Sequence, residues 1–144
     1  MSPDPVEIFP GCRLVRFPLR GDARGSLVAL EATREVPFEI RRVYTIYGTA
    51  PGVARGFHAH HALHQLAVAV AGSCSIVLDD GKTRTSVRLE SPEQGLTLPP
   101  MVWHEMEDFS PDCVLMVLAE DHYDEADYIR DYGEFRRLAG AGAE

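Results

Sequence analysis

Apolar residues along this chain gather in short runs rich in valine, isoleucine and leucine, each stopped by turn-forming residues. The runs fall at Cys12 to Phe17, Ser26 to Leu30, Arg42 to Tyr47, Leu63 to Val70, Cys74 to Leu78, Thr85 to Leu89, Gly95 to Leu98 and Cys113 to Ala119. So many brief runs at close spacing predict strands of an antiparallel sandwich or barrel. Thr85, Val87 and Leu89 share one face of their run while Ser86 and Arg88 share the other, the alternation of a half-buried strand. Asp79-Asp80-Gly81 predicts a hairpin between two of the runs, and Ala71-Gly72-Ser73 marks another reversal.

Only the C-terminal part changes character. Glu125 to Ile129 and Gly133 to Leu138 suit short helices, with Asp124 and Asp131 as N-terminal caps, and residues 139–144 read as a frayed tail. No repeat, linker or low-complexity block divides the chain, so residues 1–144 are expected to form one all-β domain with short C-terminal helices.

Composition narrows the function classes. A chain of 144 residues that is 45% hydrophobic can bury one sizeable core but not two. Its net charge of -8 disfavours nucleic acid and anionic membrane surfaces as partners, since either polyanion meets a repulsive average field. Locally the balance differs: Arg24, Arg41, Arg42 and Arg55 precede or open the histidine-bearing stretch, while much of the acid falls near the C-terminal end. A small phosphate-bearing ligand is compatible with that asymmetry. Cys12, Cys74 and Cys113 are odd in number and form no C-x-x-C pair, so they read as small buried hydrophobes. No basic leader with an apolar run opens the chain, and no stretch of about 18 apolar residues occurs, which makes the cytoplasm the expected compartment.

The candidate chemistry centres on Arg55-Gly56-Phe57-His58-Ala59-His60. In an extended strand alternate side chains lie roughly 7 Å apart on one face, so His58 and His60 look into one cavity while Ala59 and His61 look away. Such a pair can hold a metal or move protons. The order His58-x-His60, Gln65, Gly72 and then Pro99 to His104 matches the two halves of a cupin site, with Gln65 where metal-binding members carry glutamate. A hard divalent cation prefers an anionic oxygen ligand. The missing carboxylate therefore favours proton transfer without metal or other cofactor, and a metal-dependent cupin enzyme stays as an alternative. Imidazoles titrate near neutrality and serve as acid or base there. Tyr44 offers a phenol for proton relay, Arg42 and Arg55 offer guanidinium forks for a diphosphate, and Gln65 can hydrogen-bond a sugar hydroxyl or a carbonyl. Trp103, beside His104, is a candidate cavity wall or stacking platform.

Taken together, Asp22-Ala23-Arg24-Gly25-Ser26-Leu27, Arg55 to His60, Gly72-Ser73-Cys74, Trp103-His104-Glu105-Met106 and Asp124-Glu125-Ala126-Asp127-Tyr128-Ile129-Arg130 resemble the dTDP-4-keto-6-deoxyglucose 3,4-ketoisomerases, the WxcM-like sugar cupins, over roughly residues 12 to 138. The resemblance implies a small-barrel cupin, an antiparallel jelly roll, that forms a homodimer by exchanging N-terminal strands. It implies an enzyme moving the ketone of a dTDP-linked 4-keto-6-deoxy sugar from C4 to C3, in a route to 3-amino-3,6-dideoxy sugars of surface glycans or natural products. By position His58 and His60 correspond to the proton-transfer histidines and Tyr44 to their assistant. Arg42 and Arg55 fall at the diphosphate, and Arg24 and His104 near the sugar, a pairing that points to the galacto-configured product. His61-Ala62-Leu63-His64 departs from the family pattern. Two further alternatives remain at this level: a 3,5-epimerase of the same substrate, which would pair a histidine with an aspartate, an arrangement not evident along the chain, and a non-catalytic sugar-nucleotide-binding module.

Overall fold

The computed structural model describes residues 5–140 and consists of two antiparallel sheets facing each other across one core. In chain order the strands are β1 (Val6–Phe9), β2 (Cys12–Arg16), β3 (Arg20–Asp22), β4 (Gly25–Leu27), β5 (Arg42–Tyr47), β6 (Arg55–His60) and β7 (Gln65–Ala71). They continue as β8 (Cys74–Asp79), β9 (Arg84–Leu89), β10 (Gln94–Leu98), β11 (Trp103–Glu107), β12 (Val114–Ala119) and β13 (Tyr128–Ile129), before the helix α1 (Tyr132–Leu138). One sheet runs β1-β2-β10-β7-β12-β5, the other β13-β6-β11-β8-β9, and β3 with β4 forms a separate hairpin. This is the expected cupin jelly roll.

Why β7 and β12 read as nearly continuous apolar runs is clear from their two faces. Ala67, Ala69, Leu115 and Val117 point into the core between the sheets, where they meet Cys74, Ile76, Leu78 and Met106. Leu66, Val68 and Leu118 point outward, yet they too are buried, under Phe17, Val36 and Phe38 with Val28, Leu30 and Ile40 around them. Strands covered on both faces lose the polar alternation of a one-sided sheet. β5 lacks that cover at one edge, and Val43 and Tyr47 face outward in the open.

A third cluster joins Ala59, Trp103, Ile129 and Phe135 on the outer side of the second sheet. It anchors α1, which Asp131 caps by accepting the Glu134 N–H at 2.8 Å, and Tyr132 ties the helix down by donating to the buried Asp79 at 2.7 Å.

Several expectations need correction. From Glu125 to Ile129 there is no helix of the expected length: a 3-10 turn at Glu125–Asp127, capped by Asp124, gives way to Tyr128 and Ile129, which pair with His60 and Ala59. An aromatic and a β-branched residue beside an open strand edge gain more from pairing than from another helical turn. In the run from Ser26 only Gly25–Leu27 is strand, because Val28 and Leu30 belong to the cover over β7. β1, β3 and β11 were not marked by apolar runs; β11 reads Trp-His-Glu-Met-Glu and carries polar residues on both faces. Of the tail, Ala139 still closes the helix by donating to Phe135 O at 2.8 Å, and residues 141–144 lie outside the described residues. The three cysteines are buried and unpaired, as expected.

Gly72 makes the turn between β7 and β8 with φ of +61°, and a Cβ there would lie 2.7 Å from Cys113 Cα. Both the left-handed backbone and the close approach exclude a side chain. Gly72→Ala is expected to destabilise the fold by about 1–3 kcal/mol, read from denaturant midpoints.

Candidate active site

The site is assembled by strand parity. On β6, Gly56 takes φ of +90° and Phe57 φ of +58°, and the register against β11 shifts so that His104 lies opposite His58 while Glu105 lies opposite Gly56. A Cβ on Gly56 would sit 3.0 Å from His104 O, so only glycine lets the strands approach here. Past this bulge the pleat is regular. His58 and His60 turn inward, Ala59 turns out into the third cluster, and His104 turns inward beside them. Ring centroids are 5.0 Å apart for His58 and His60, 4.5 Å for His58 and His104, and 6.1 Å for His60 and His104.

Each imidazole is held from behind through Nδ1. His58 Nδ1 lies 3.1 Å from Gly56 O, His104 Nδ1 lies 3.4 Å from Val102 O, and His60 Nδ1 lies 3.1 Å from Asp127 Oδ2. A carbonyl or carboxylate oxygen accepts only, so each Nδ1 carries the hydrogen and each Nε2 keeps its lone pair. From the facing sheet β7 contributes Gln65 and β5 contributes Tyr44 and Arg42. Tyr44 Oη donates to Gln65 Oε1 at 2.8 Å, and the Arg42 guanidinium lies 5.4 Å from the Tyr44 ring centre and 5.8 Å from that of Tyr123.

Among the described residues, the buried side-chain polar atoms without a protein partner are the Nε2 atoms of His58, His60, His104 and Gln65 together with Nε and Nη2 of Arg42. All belong to this one site. A buried polar atom left unsatisfied costs about 1–3 kcal/mol, so their gathering in one place marks where a ligand or ordered water supplies partners. His58 and Arg42 border a cavity of about 230 Å³ that Tyr44, Arg55, Tyr128 and Arg130 also wall, and His60, His104 and Gln65 lie enclosed rather than in its wall. On the other side of Arg42 and Tyr128 a second cavity of about 200 Å³ is lined by Glu120, Asp121, Asp124 and Asp127.

The structure thus brings together His58, His60, His104, Tyr44, Gln65 and Arg42, with Arg55 exposed at the cavity mouth. It does not place Trp103 there. Trp103 and His104 are consecutive on a strand, so their side chains leave opposite faces. The indole packs against Tyr132 and Phe135 and donates to Glu105 Oε2 at 3.0 Å, a structural role rather than a cavity wall. Arg24 stands exposed on the β3–β4 hairpin, paired with Asp22 at 2.5 Å, and the fold of the single chain does not bring it to the histidines. A histidine–aspartate pair, not evident along the chain, is present: His60 and Asp127 meet across 67 residues. Two more site residues come from the same C-terminal segment. The Tyr128 ring lies 4.9 Å from that of His58 and 4.4 Å from that of His60, and Arg130 covers Tyr128 at 4.3 Å while bonding Glu125. Their signal was the shared motif from Asp124 to Arg130; read as a helix, it gave no way to aim the side chains.

One ring nitrogen from each of the three histidines lies within 4.8 Å of the others, a set that could hold a borderline metal such as zinc. Gln65, where the motif of metal-binding cupins carries glutamate, is a neutral amide whose oxygen is engaged by Tyr44, so the three histidines have no anionic partner there for a hard cation.

Burial dominates the electrostatics. It pulls His58 below its usual value, takes His60 down to about 4 with help from the neighbouring His58 and against Asp127, and pulls the fully enclosed His104 well down, with His58 and His60 adding to the effect. Burial likewise pushes the Tyr44 phenol up, against the pull of Arg42 and Arg55. At neutral pH the site therefore offers three neutral imidazoles and a protonated phenol. In the unfolded chain these histidines bind protons near 6.5, whereas folded His60 resists until about 4, so the unfolded state gains protons first as pH falls. Stability is expected to be full above that window and to drop within it, on the order of 1–2 kcal/mol between pH 7 and pH 5 for His60 alone. Denaturant midpoints measured at both pH values check this, and His104→Gln should flatten the fall.

The model of the family described as "WxcM-like, C-terminal" matches residues 10–140. A TDP-4-oxo-6-deoxy-alpha-D-glucose-3,4-oxoisomerase of Aneurinibacillus thermoaerophilus is 51% identical over 125 residues, 87% of this chain and 90% of that protein. The crystal structure of a 3,4-ketoisomerase from Helicobacter canadensis superposes with a TM-score of 0.87 at 46% identity, covering 90% of this chain and 97% of the other. A histidine-to-asparagine variant of the 3,4-ketoisomerase QdtA from Thermoanaerobacterium thermosaccharolyticum, in complex with TDP-4-keto-6-deoxyglucose, superposes at 0.90 with 36% identity over 94% and 98% of the two chains. With the family model matched over residues 10–140 and a 51% identical relative covering most of both chains, the chain belongs to the WxcM-like sugar 3,4-ketoisomerases.

Proposed function

We propose that this enzyme converts dTDP-4-keto-6-deoxy-D-glucose into its 3-keto isomer by metal-free proton transfer through an enediol. One observation carries the reading: the partnerless polar atoms are of two kinds, acceptors on three clustered histidines and donors on Gln65 and Arg42, and His58 and Arg42 among them open onto one cavity. A ring bearing a ketone beside a hydroxyl meets both kinds at once. The cations Arg42, Arg55 and Arg130 border the same cavity, where a diphosphate needs them.

The isomerisation moves hydrogen from C3 to C4 and a hydroxyl proton from O3 to O4, so two transfers must be served. His58 borders the cavity directly and removes the C3 proton, which is then delivered to C4. His60, His104 and Tyr44 handle the oxygen-bound proton, and the free N–H donors of Gln65 and Arg42 are the groups that can polarise the carbonyl. Neutral imidazoles suit the first step, because a protonated histidine could not accept. Arginine contacts to the diphosphate supply positioning, and the buried setting shields the enediol from water.

The β3–β4 hairpin pairs only within itself and carries Arg24 with the exposed Leu19 and Leu27. A homodimer that exchanges N-terminal strands would cover those residues and give Arg24 a route to the sugar beside His104. In this reading the product has the galacto configuration and feeds a cytoplasmic route to a 3-amino-3,6-dideoxy sugar for surface polysaccharide. A second reading, 3,5-epimerisation of the same ketone, is favoured by one feature, the His60–Asp127 pair.

Incubation with dTDP-4-keto-6-deoxyglucose in deuterated water separates the two. The expected NMR spectrum shows a ketone at C3 and no deuterium at C5, and the product made in ordinary water shows a small H4–H5 coupling; deuterium at C5 would establish the epimerase. His58→Asn is expected to lower turnover by about 10²–10⁴-fold while TDP binding, followed by calorimetry, changes little.

A further inference from the structure

Among the three histidines His60 is singled out by its support. His58 and His104 lean on neutral backbone carbonyls, Gly56 O and Val102 O, whereas His60 leans on a carboxylate. That carboxylate is itself fixed in place. Asp127 Oδ1 accepts the Ala62 N–H at 2.9 Å, Asp127 O accepts the His61 N–H at 2.9 Å, and the Asp127 N–H donates to Asp124 O at 3.0 Å. The whole residue is clamped against the end of β6, and Oδ2 is left with His60 Nδ1 as its partner at 3.1 Å. His60 is 2% exposed, so this contact is screened little by solvent.

We infer that Asp127 is the positioning residue of the reaction, holding His60 in the Nδ1–H tautomer so that Nε2 receives the O3 hydroxyl proton and returns it to O4. The inference rests on the proposed ketoisomerisation. As the C3 hydrogen passes to C4, the O3–H bond breaks and its proton moves to His60 Nε2; the same proton then forms the O4–H bond, leaving a carbonyl at C3. No electron acceptor or outside reactant enters the balance. While His60 carries the proton it is an imidazolium enclosed by protein. Asp127 supplies the neighbouring negative charge that makes that state accessible, which neither Gly56 O nor Val102 O can do for the other two rings.

The two oxygens of Asp127 make an asparagine substitution diagnostic. Both must accept, one from the Ala62 backbone and one from His60. The side-chain amide in Asp127→Asn would have one acceptor, and since a backbone N–H cannot relocate its hydrogen, the amide nitrogen would face His60 and drive it to the Nε2–H tautomer. Alanine removes both acceptors but forces neither tautomer. A positioning role therefore orders turnover as wild type, then Asp127→Ala, then Asp127→Asn, while a merely structural role orders asparagine, the closer mimic, above alanine.

The test combines ¹⁵N NMR of the imidazoles with steady-state kinetics on the three folded proteins. Expected are an Nδ1–H tautomer for His60 in the wild type, an Nε2–H tautomer in Asp127→Asn, and a kcat for Asp127→Asn lower by about 10²–10⁴-fold with KM and TDP binding little changed. Retention of the Nδ1–H tautomer in Asp127→Asn, or turnover there at or above that of Asp127→Ala, overturns the inference. The tautomers are read without substrate. An absence of turnover on the 4-keto sugar in the wild type would thus sink the proposed reaction, while the NMR result still judges Asp127.

Discussion

The organising constraint is the enclosure of three imidazoles within a few ångströms of one another. Two charged rings at that separation in a low-dielectric interior would repel strongly, and a single one would bear a large desolvation penalty. The arrangement is tolerable only while the rings are neutral, and the downward displacement of all three proton affinities expresses that condition. Neutrality in turn requires that each ring place its single hydrogen somewhere useful. The backbone at Gly56 and Val102 and the carboxylate of Asp127 absorb those hydrogens from behind, so the lone pairs converge in front. Chemistry and stability therefore meet in the same atoms: what lets the chain fold around these histidines also primes them to accept protons.

Charge is graded across the site. The deepest layer is uncharged, with His104 and Gln65 nearly inaccessible. Arg42 stands at the boundary, half-buried between two tyrosine rings, and Arg55 and Arg130 are exposed at the rim. A diphosphate can remain near water and cations while the sugar it carries descends into the neutral part. In this way one ligand satisfies an acidic protein's local patch of positive charge without exposing the reacting ring to solvent.

Much of this was legible in the chain. Turn residues and brief β-branched runs outlined the barrel, and the two-residue spacing of His58 and His60 fixed their common face without knowledge of any partner strand. The same rule excludes Trp103, adjacent to His104, from the cavity wall expected of it, and the indole lies with α1. What the chain did not reveal were contacts between distant segments. Asp127 meets His60 only because Tyr128 and Ile129 add a short strand to the edge of β6, an event decided by an unpaired sheet edge rather than by local propensity. Read locally, Glu125 to Ile129 suits a helix, and in a helix those three side chains would point in different directions. Arg24 illustrates another limit, since its place in the family motif put it near the sugar while the fold of the chain leaves it exposed on the β3–β4 hairpin.

The hydrogen bond from Tyr44 to Gln65 has a chemical corollary. With its oxygen occupied, the Gln65 amide presents only hydrogen toward the barrel interior. It can greet an electron-rich carbonyl or enolate oxygen, yet it has nothing to give a hydroxyl that seeks an acceptor. Side by side with three lone pairs that have the opposite preference, it gives the site both kinds of hydrogen-bonding partner within one enclosed cluster.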